Sequence, residues 1–210
     1  MNPFTHTLFC CALLLLTLKE LTEACSCAPT HPQQKFCNAD IVIRARVIGE
    51  KKIPTSGRET LDMTTQYEIK LTKILKVYGE MTDIHYVYTP SESSVCGVKL
   101  EKREYVLGGK IYNNKVNINL CGLVSVWENL SSFQRESLTK PDMGYQKGCV
   151  CKIKYCGMDV CDSPTQDLEC TWKDWQQTQT LEREHACMKS GKVCRWHPII
   201  ADKSIFASHP

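Results

Sequence analysis

Hydrophobic and polar residues alternate with a period of two over much of the stretch from 41 to 120. Ile41, Ile43, Ala45 and Val47 share one face of an extended strand, while Arg44 and Arg46 take the other. Tyr67, Ile69 and Leu71 alternate with Glu68, Lys70 and Thr72, and the register slips near Lys73, Ile74 and Leu75, which predicts a bulge. Further strands are expected at 84–88, at 104–111, and at 115–120 after an Asn113-Asn114 turn. Gly108 and Gly109 inside the fourth run suit a sharp bend at a barrel corner. Residues 51–63, with Pro54, Gly57 and mostly polar neighbours, predict an exposed hairpin loop. Five strands in about 80 residues, followed by a helix over 131–139, fit a mainly β chain with flanking helices, built on a small five-stranded barrel of the OB type. A sandwich fragment is the alternative.

Ahead of this pattern lies an eleven-residue apolar run, 8–18, followed by Thr22 and Ala24 in the minus-three and minus-one positions of a signal-peptidase site after Ala24. An uncleaved anchor would need roughly 20 apolar residues. The reading is therefore a signal peptide over 1–24 and a secreted protein of the extracellular space or matrix, without a membrane span.

Cysteine is unusually frequent: 14 in a chain of 210. Cleavage discards Cys10 and Cys11 and leaves 12, an even number that fits six disulfides in an oxidising compartment. The pairings number on the order of 10,000, so counting alone selects none. Structural zinc is the rival use, but the spacings contain no paired Cys-x2-Cys set, and secretion disfavours free thiolates. The cysteines are sparse from Cys37 to Cys149 and crowded afterwards. That shift predicts one domain over 25–149 and a smaller disulfide-rich one over 150–210, each with six cysteines. The smaller unit needs staples because so short a chain buries little apolar surface.

The formal net charge of +3 becomes +4 once Lys19, Glu20 and Glu23 leave with the leader. This permits loose contact with sulfated matrix polysaccharide, for which Lys147, Lys152 and Lys154 form a candidate patch, although a solvated charged face explains them as well. Oligonucleotide binding, a use of some OB barrels, fits neither secretion nor so modest a charge.

Cleavage also creates a new terminus, Cys25-Ser26-Cys27-Ala28-Pro29. An α-amine with a pKa of about 7.7 to 8.0 has an appreciable neutral fraction at physiological pH. Together with the carbonyl oxygen of the same residue it can close a five-membered chelate on Zn²⁺. A terminus held rigid by Cys25 and Cys27 could therefore occupy the open coordination position of a zinc enzyme. The plainer reading is that Cys25 is a disulfide residue near an end.

The run from Cys25 through Pro29, His31-Pro32-Gln33-Gln34, Phe36-Cys37-Asn38 and Val42-Ile43-Arg44-Ala45 resembles the N-terminal signature of the tissue inhibitors of metalloproteinases. The likeness extends through Ser93-Ser94-Val95-Cys96-Gly97, Leu120-Cys121, Trp127, Gly148-Cys149-Val150-Cys151, Glu169-Cys170-Thr171-Trp172 and Ala186-Cys187. The resemblance implies a netrin-like OB domain and the disulfides Cys25 to Cys96, Cys27 to Cys121 and Cys37 to Cys149. In the second domain it implies Cys151 to Cys194, Cys156 to Cys161 and Cys170 to Cys187. It also implies that the amine and carbonyl of Cys25 chelate the zinc of a matrix metalloproteinase, the zinc being supplied by the target. On the same model Ser26 enters the specificity pocket, Cys27, Ala28 and Pro29 follow the cleft, and Ser93, Ser94, Val95 and Cys96 flank them. Disintegrin-type metalloproteinases and a progelatinase are further partners so implied. The tail at 202–210 lacks the acidic character that some members use for the latter.

No His-Glu-x-x-His, Gly-x-Ser-x-Gly or phosphate loop occurs, so an enzyme is not expected, nor a cofactor of its own. Asn129-Leu130-Ser131 is a glycosylation sequon beside a helix start, where capping is the competing role. His31, beside Pro32, is expected to pack or to face solvent. The functional alternatives are an extracellular netrin-like binding module and a cytokine-like signal without protease inhibition.

Overall fold

The computed structural model describes residues 25–55, 63–141, 144–156, 167–172 and 175–198, with the side chains of 175–179 left aside. The expected leader, Cys161 and the tail lie outside these residues.

Six strands form one sheet: β1 (Ile41–Pro54), β2 (Met63–Val77), β3 (Tyr86–Pro90), β4 (Glu104–Tyr112), β5 (Lys115–Asn117) and β6 (Val124–Val126). The order β1-β2-β3-β5-β4 closes on itself because β4 also pairs with β1, and β6 adds to the free side of β4. All pairs are antiparallel except β3 with β5. The result is a closed five-stranded barrel of the OB type in a mainly β protein, from which the outer end of β1, paired with β2 alone, projects.

Alternation does the sorting. Ile41, Ile43, Ala45 and Val47 line the barrel interior with Tyr67, Ile69, Val87, Leu107 and Val116. Val42 and Val106 point outward yet are fully buried, because a second core of Phe36, Leu123, Phe133, Leu138, Tyr145 and Ala186 covers that side. The β1–β2 ladder skips Leu75 and Thr72, so the expected bulge is present. Asn113 and Asn114 both adopt positive φ (48° and 56°) in the turn between β4 and β5.

Three expectations change. Pairing of β1 with β2 runs out to Pro54 opposite Met63, so the two ends of the loop expected at 51–63 are strand and mostly exposed, while 56–62 lie outside the described residues. Gly108 and Gly109 lie within one uninterrupted strand. They allow close backbone approach instead of a bend: a Cβ on Gly109 would sit 2.5 Å from the carbonyl oxygen of Asn117, and one on Gly108 2.9 Å from the Cβ of Leu123. The run expected at 115–120 pairs as a strand only over Lys115–Asn117.

Helices pack on the outside of the barrel. In α1 (Pro32–Asn38), Pro32 occupies the first turn, where no N–H is needed, and His31 is the N-cap. In α2 (Ser132–Thr139), Ser131 and Gln134 form a capping box. Short α3 (Tyr145–Gly148) and α4 (Trp175–Glu184) follow. Two small sheets complete the structure: β7 (Lys152–Tyr155) beside β8 (Glu169–Trp172), and the hairpin β9 (His185–Ser190) with β10 (Val193–Pro198). The disulfides Cys151–Cys194 and Cys170–Cys187 form a third buried cluster beneath them, with Ile153 and Trp196 packed against it.

The C-terminus of α1 is closed by a side chain from the barrel. Lys76 is 5% exposed, and its Nζ donates to the carbonyl oxygens of Phe36, Cys37 and Ala39 at 2.9, 2.8 and 2.7 Å. Burial lowers its pKa to about 8, partly offset by the charge of Asp40, so it stays protonated at neutral pH with all three donors in use. Lys76→Met should destabilise the disulfide-intact protein by about 2–3 kcal/mol, because the carbonyls lose their donor. Denaturant unfolding of both forms at pH 7 checks this.

Candidate functional site

The segment 25–29 alternates in exposure: Cys25 and Cys27 are half-buried, while Ser26, Ala28 and Pro29 are exposed. The disulfides Cys25–Cys96 and Cys27–Cys121 hold the two inward positions, each with a Cα–Cα distance of 5.3 Å. The Sγ atoms of Cys96 and Cys121 lie 3.8 Å apart, so the two bridges pack side by side. The loops carrying the partner cysteines are themselves joined, since the N–H of Leu120 donates to the carbonyl of Cys96 at 2.9 Å. Side-chain outward direction is thus fixed twice within three residues.

The second part of the site is the 3-10 turn Ser93–Val95, exposed at every residue, with Val95 60% exposed. Cys96 ends the turn in the left-handed region (φ 62°), its N–H donating to Ser93 O at 3.0 Å, and Gly97 N donates to Glu92 O at 3.0 Å. Around them, Ser91 N donates to Met63 O at 2.9 Å, and Val98 N donates to the Thr89 hydroxyl at 3.1 Å. Tyr67 locks the chain just beyond, donating its hydroxyl to Val98 O at 3.1 Å and accepting from Leu100 N at 3.0 Å. Ser26, Ala28, Pro29, Ser93, Ser94 and Val95 therefore form one exposed ridge seated on two disulfides. A cleft of about 640 Å³, lined by Glu50, Lys51, Thr65, Ser91, Glu92 and Lys99 among others, runs between it and the β1–β2 hairpin.

The ridge offers little side-chain chemistry. The sulfurs of Cys25, Cys96 and Cys121 lie within 4.8 Å of one another, but all three belong to disulfides and supply no thiolate. The same holds for Cys151, Cys187 and Cys194. What remains is shape, hydroxyls and backbone polar groups.

Elsewhere, Cys37–Cys149 ties α1 to the end of α3. Cys156 is disulfide-bonded, and its expected partner Cys161 lies outside the described residues. Asn129 is exposed at the end of the short turn Trp127–Asn129, and the hydroxyl of Ser131 accepts from Gln134 N at 3.1 Å as the helix cap while donating to Arg183 O. Lys147, Lys152 and Lys154 are all exposed. His31 is buried at the start of α1. Among the described residues no helix is long and apolar enough to cross a membrane.

Gly97 and Gln33 stand in the sequence only as parts of the family signature, with no role of their own. Gly97 follows a cysteine in a turn, and only the packed structure shows why nothing larger fits. Gln33 is wholly buried, though its neighbours give no local sign of it.

A family model described as tissue inhibitor of metalloproteinase matches residues 23–196. The chain is 42% identical to metalloproteinase inhibitor 2 of Homo sapiens and of Canis lupus familiaris, with 88% of this chain and 86% of each relative covered. It is also 42% identical to metalloproteinase inhibitor 4 of Rattus norvegicus, covering 83% of this chain and 81% of that relative.

A Cβ on Gly97 would lie 2.1 Å from Pro90 O and 2.7 Å from Glu92 O, both backbone atoms that cannot step aside cheaply. Gly97→Ala should therefore displace the 91–96 loop and cost about 1–3 kcal/mol of stability. The check is thermal unfolding together with backbone chemical shifts of Ser93, Ser94 and Val95.

Proposed function

The chain belongs to the tissue inhibitor of metalloproteinase family, and we propose that its secreted form inhibits zinc metalloproteinases by laying residues 25–29 into their active-site cleft. It is an inhibitor and not an enzyme. The observation that carries the reading is the ridge: an exposed segment pinned at alternate residues by two adjacent disulfides.

The chemistry follows from the mature terminus. With the leader removed after Ala24, Cys25 presents a free amine beside its own carbonyl, and the pair chelates the target's catalytic zinc in place of the water that hydrolysis needs. Ser26, directed outward between two anchored cysteines, enters the specificity pocket beside the metal. Cys27, Ala28 and Pro29 continue along the cleft as a product would, and Ser93, Ser94 and Val95 bear on the adjoining rim. A free peptide bound this way would lose about 0.5–1.5 kcal/mol of freedom for each immobilised side chain. The two bridges remove much of that cost before the target arrives.

In this reading residues 25–149 carry inhibition and 150–210 form a separately stapled unit. Matrix metalloproteinases are the proposed targets, with disintegrin-type enzymes as a related class. Exposed Lys147, Lys152 and Lys154 support loose contact with sulfated matrix polysaccharide, whereas the tail relevant to a progelatinase lies outside the described residues. Exposure of Asn129 supports a glycan there. Attachment would precede folding, because the folded chain commits the Ser131 hydroxyl to the α2 cap.

One extra alanine retained before Cys25 converts the amine to an amide with no available lone pair. Inhibition constants against a zinc metalloproteinase should rise by at least about 100-fold, the loss of more than 2.7 kcal/mol, with the unfolding transition unchanged. Equal inhibition by the extended and processed proteins refutes chelation. Ser26→Gly should weaken binding several-fold and by different factors across a panel of metalloproteinases; a uniform, unchanged panel refutes the pocket role.

A further inference from the structure

Just past the ridge the chain is fastened to elements more than 100 residues away. His31 is 1% exposed, and both its ring nitrogens are engaged: Nδ1 accepts the N–H of Gln33 at 3.1 Å, and Nε2 lies 3.1 Å from the carbonyl oxygen of Leu181 in α4. A backbone N–H only donates, so Nδ1 is the bare nitrogen and Nε2 carries the hydrogen that Leu181 accepts. The ring sits among Trp196, Trp172 and Tyr145, with centroids 5.1, 5.6 and 6.3 Å away. Gln33 completes the joint: its Nε2 donates to Gly148 O at 2.9 Å and Cys187 O at 2.7 Å, and its Oε1 accepts from Cys187 N at 2.8 Å. A Cβ on Gly148 would lie 2.3 Å from that amide nitrogen, so the elements meet at backbone distance.

We propose that His31 and Gln33 form an acid-sensitive clasp, in which protonation of His31 breaks the α1 cap and releases α4, β9 and β10 from the start of α1. Adding a proton at Nδ1 sets two donors against each other at 3.1 Å and places a charge inside an aromatic enclosure. The Leu181 carbonyl that accepts from Nε2 favours the charged ring, but burial outweighs it. His185 on β9 adds to the unfavourable potential, and Lys35 on α1 bears on Glu182 of α4. Glu182 on α4 has its pKa raised by burial, and burial also keeps the Tyr145 hydroxyl on α3 neutral. From β8 the facing group is Trp172, and β10 contributes Trp196 next to His197, whose Nε2 is buried without a partner among the described residues.

Burial lowers the His31 pKa from 6.5 to about 4. The opened form thus takes up a proton more readily than the closed one, so opening is promoted as pH falls through 6.5 and levels off below about 4. The ridge is spared, because its two disulfides run to 96 and 121 and do not pass through the clasp; Cys37–Cys149 keeps the parts tethered. The inference is therefore independent of the zinc-chelation reading.

The test is hydrogen exchange of the Cys187 amide, which Gln33 holds, in the full, disulfide-intact protein, with the ring of His31 followed by NMR. After correction for intrinsic exchange, the opening constant should rise on the order of 50-fold from pH 7.5 to pH 4.5. His31→Asn keeps a cap acceptor without a titrating ring and should show no such step. The same step in both proteins, or none in either, overturns the clasp. Should the variant not fold, the unmodified protein decides. Protonation of His31 below pH 5 together with loss of Cys187 protection supports the clasp. Titration near 6.5 with Cys187 still protected overturns it, since the aromatic enclosure would then accept the imidazolium.

Discussion

The structure depends on a pair of adjacent disulfides that hold one short segment against two loops of a closed barrel. Cys25 and Cys27 are two residues apart, so bridges to Cys96 and Cys121 fix both the position and the twist of the chain between them. A single bridge would fix a point and leave rotation. Two bridges with sulfurs 3.8 Å apart leave Ser26 no direction but outward. Constraint of this kind restricts the unfolded chain as well, typically by 2–4 kcal/mol per bridge in the chain-entropy account.

The barrel serves as the reference frame for that constraint. The segment 91–100 is held at its two ends by Met63, Thr89 and the hydroxyl of Tyr67, all of them strand residues, so the ridge inherits the rigidity of the sheet. On the opposite flank the same economy recurs with polar groups in place of sulfur. Lys76 closes α1 from the barrel side, and Gln33 with His31 closes it from the C-terminal side. These groups are buried, and each is satisfied by backbone partners, the condition under which a buried polar group holds a structure together instead of weakening it.

Much of the fold was legible because period-two alternation survives wherever one face of a strand enters the barrel, as in Ile41 to Val47 and Tyr67 to Leu71. It fails where that premise fails. Val42 and Val106 are buried on the other face under the helices. The outer end of the β1–β2 hairpin is largely exposed, so its strands read as loop. Three residues of β6 are too few to display a period and exist as a strand only through pairing with β4. Spacing left the cysteine pairings open, and only the family resemblance singled out a set. Gln33, Lys76 and Gly97 owe their roles to atoms between 5 and 154 positions away in sequence, which no local pattern encodes.

Inhibition as proposed requires the amine and carbonyl of Cys25 to enter the coordination shell of a target's zinc. X-ray absorption at the zinc edge, recorded on a zinc metalloproteinase alone and saturated with the processed protein, addresses that contact directly. On chelation, the bound water gives way to one additional nitrogen and one oxygen donor in a five-membered chelate. An unchanged zinc shell in an enzyme that is fully inhibited would contradict it.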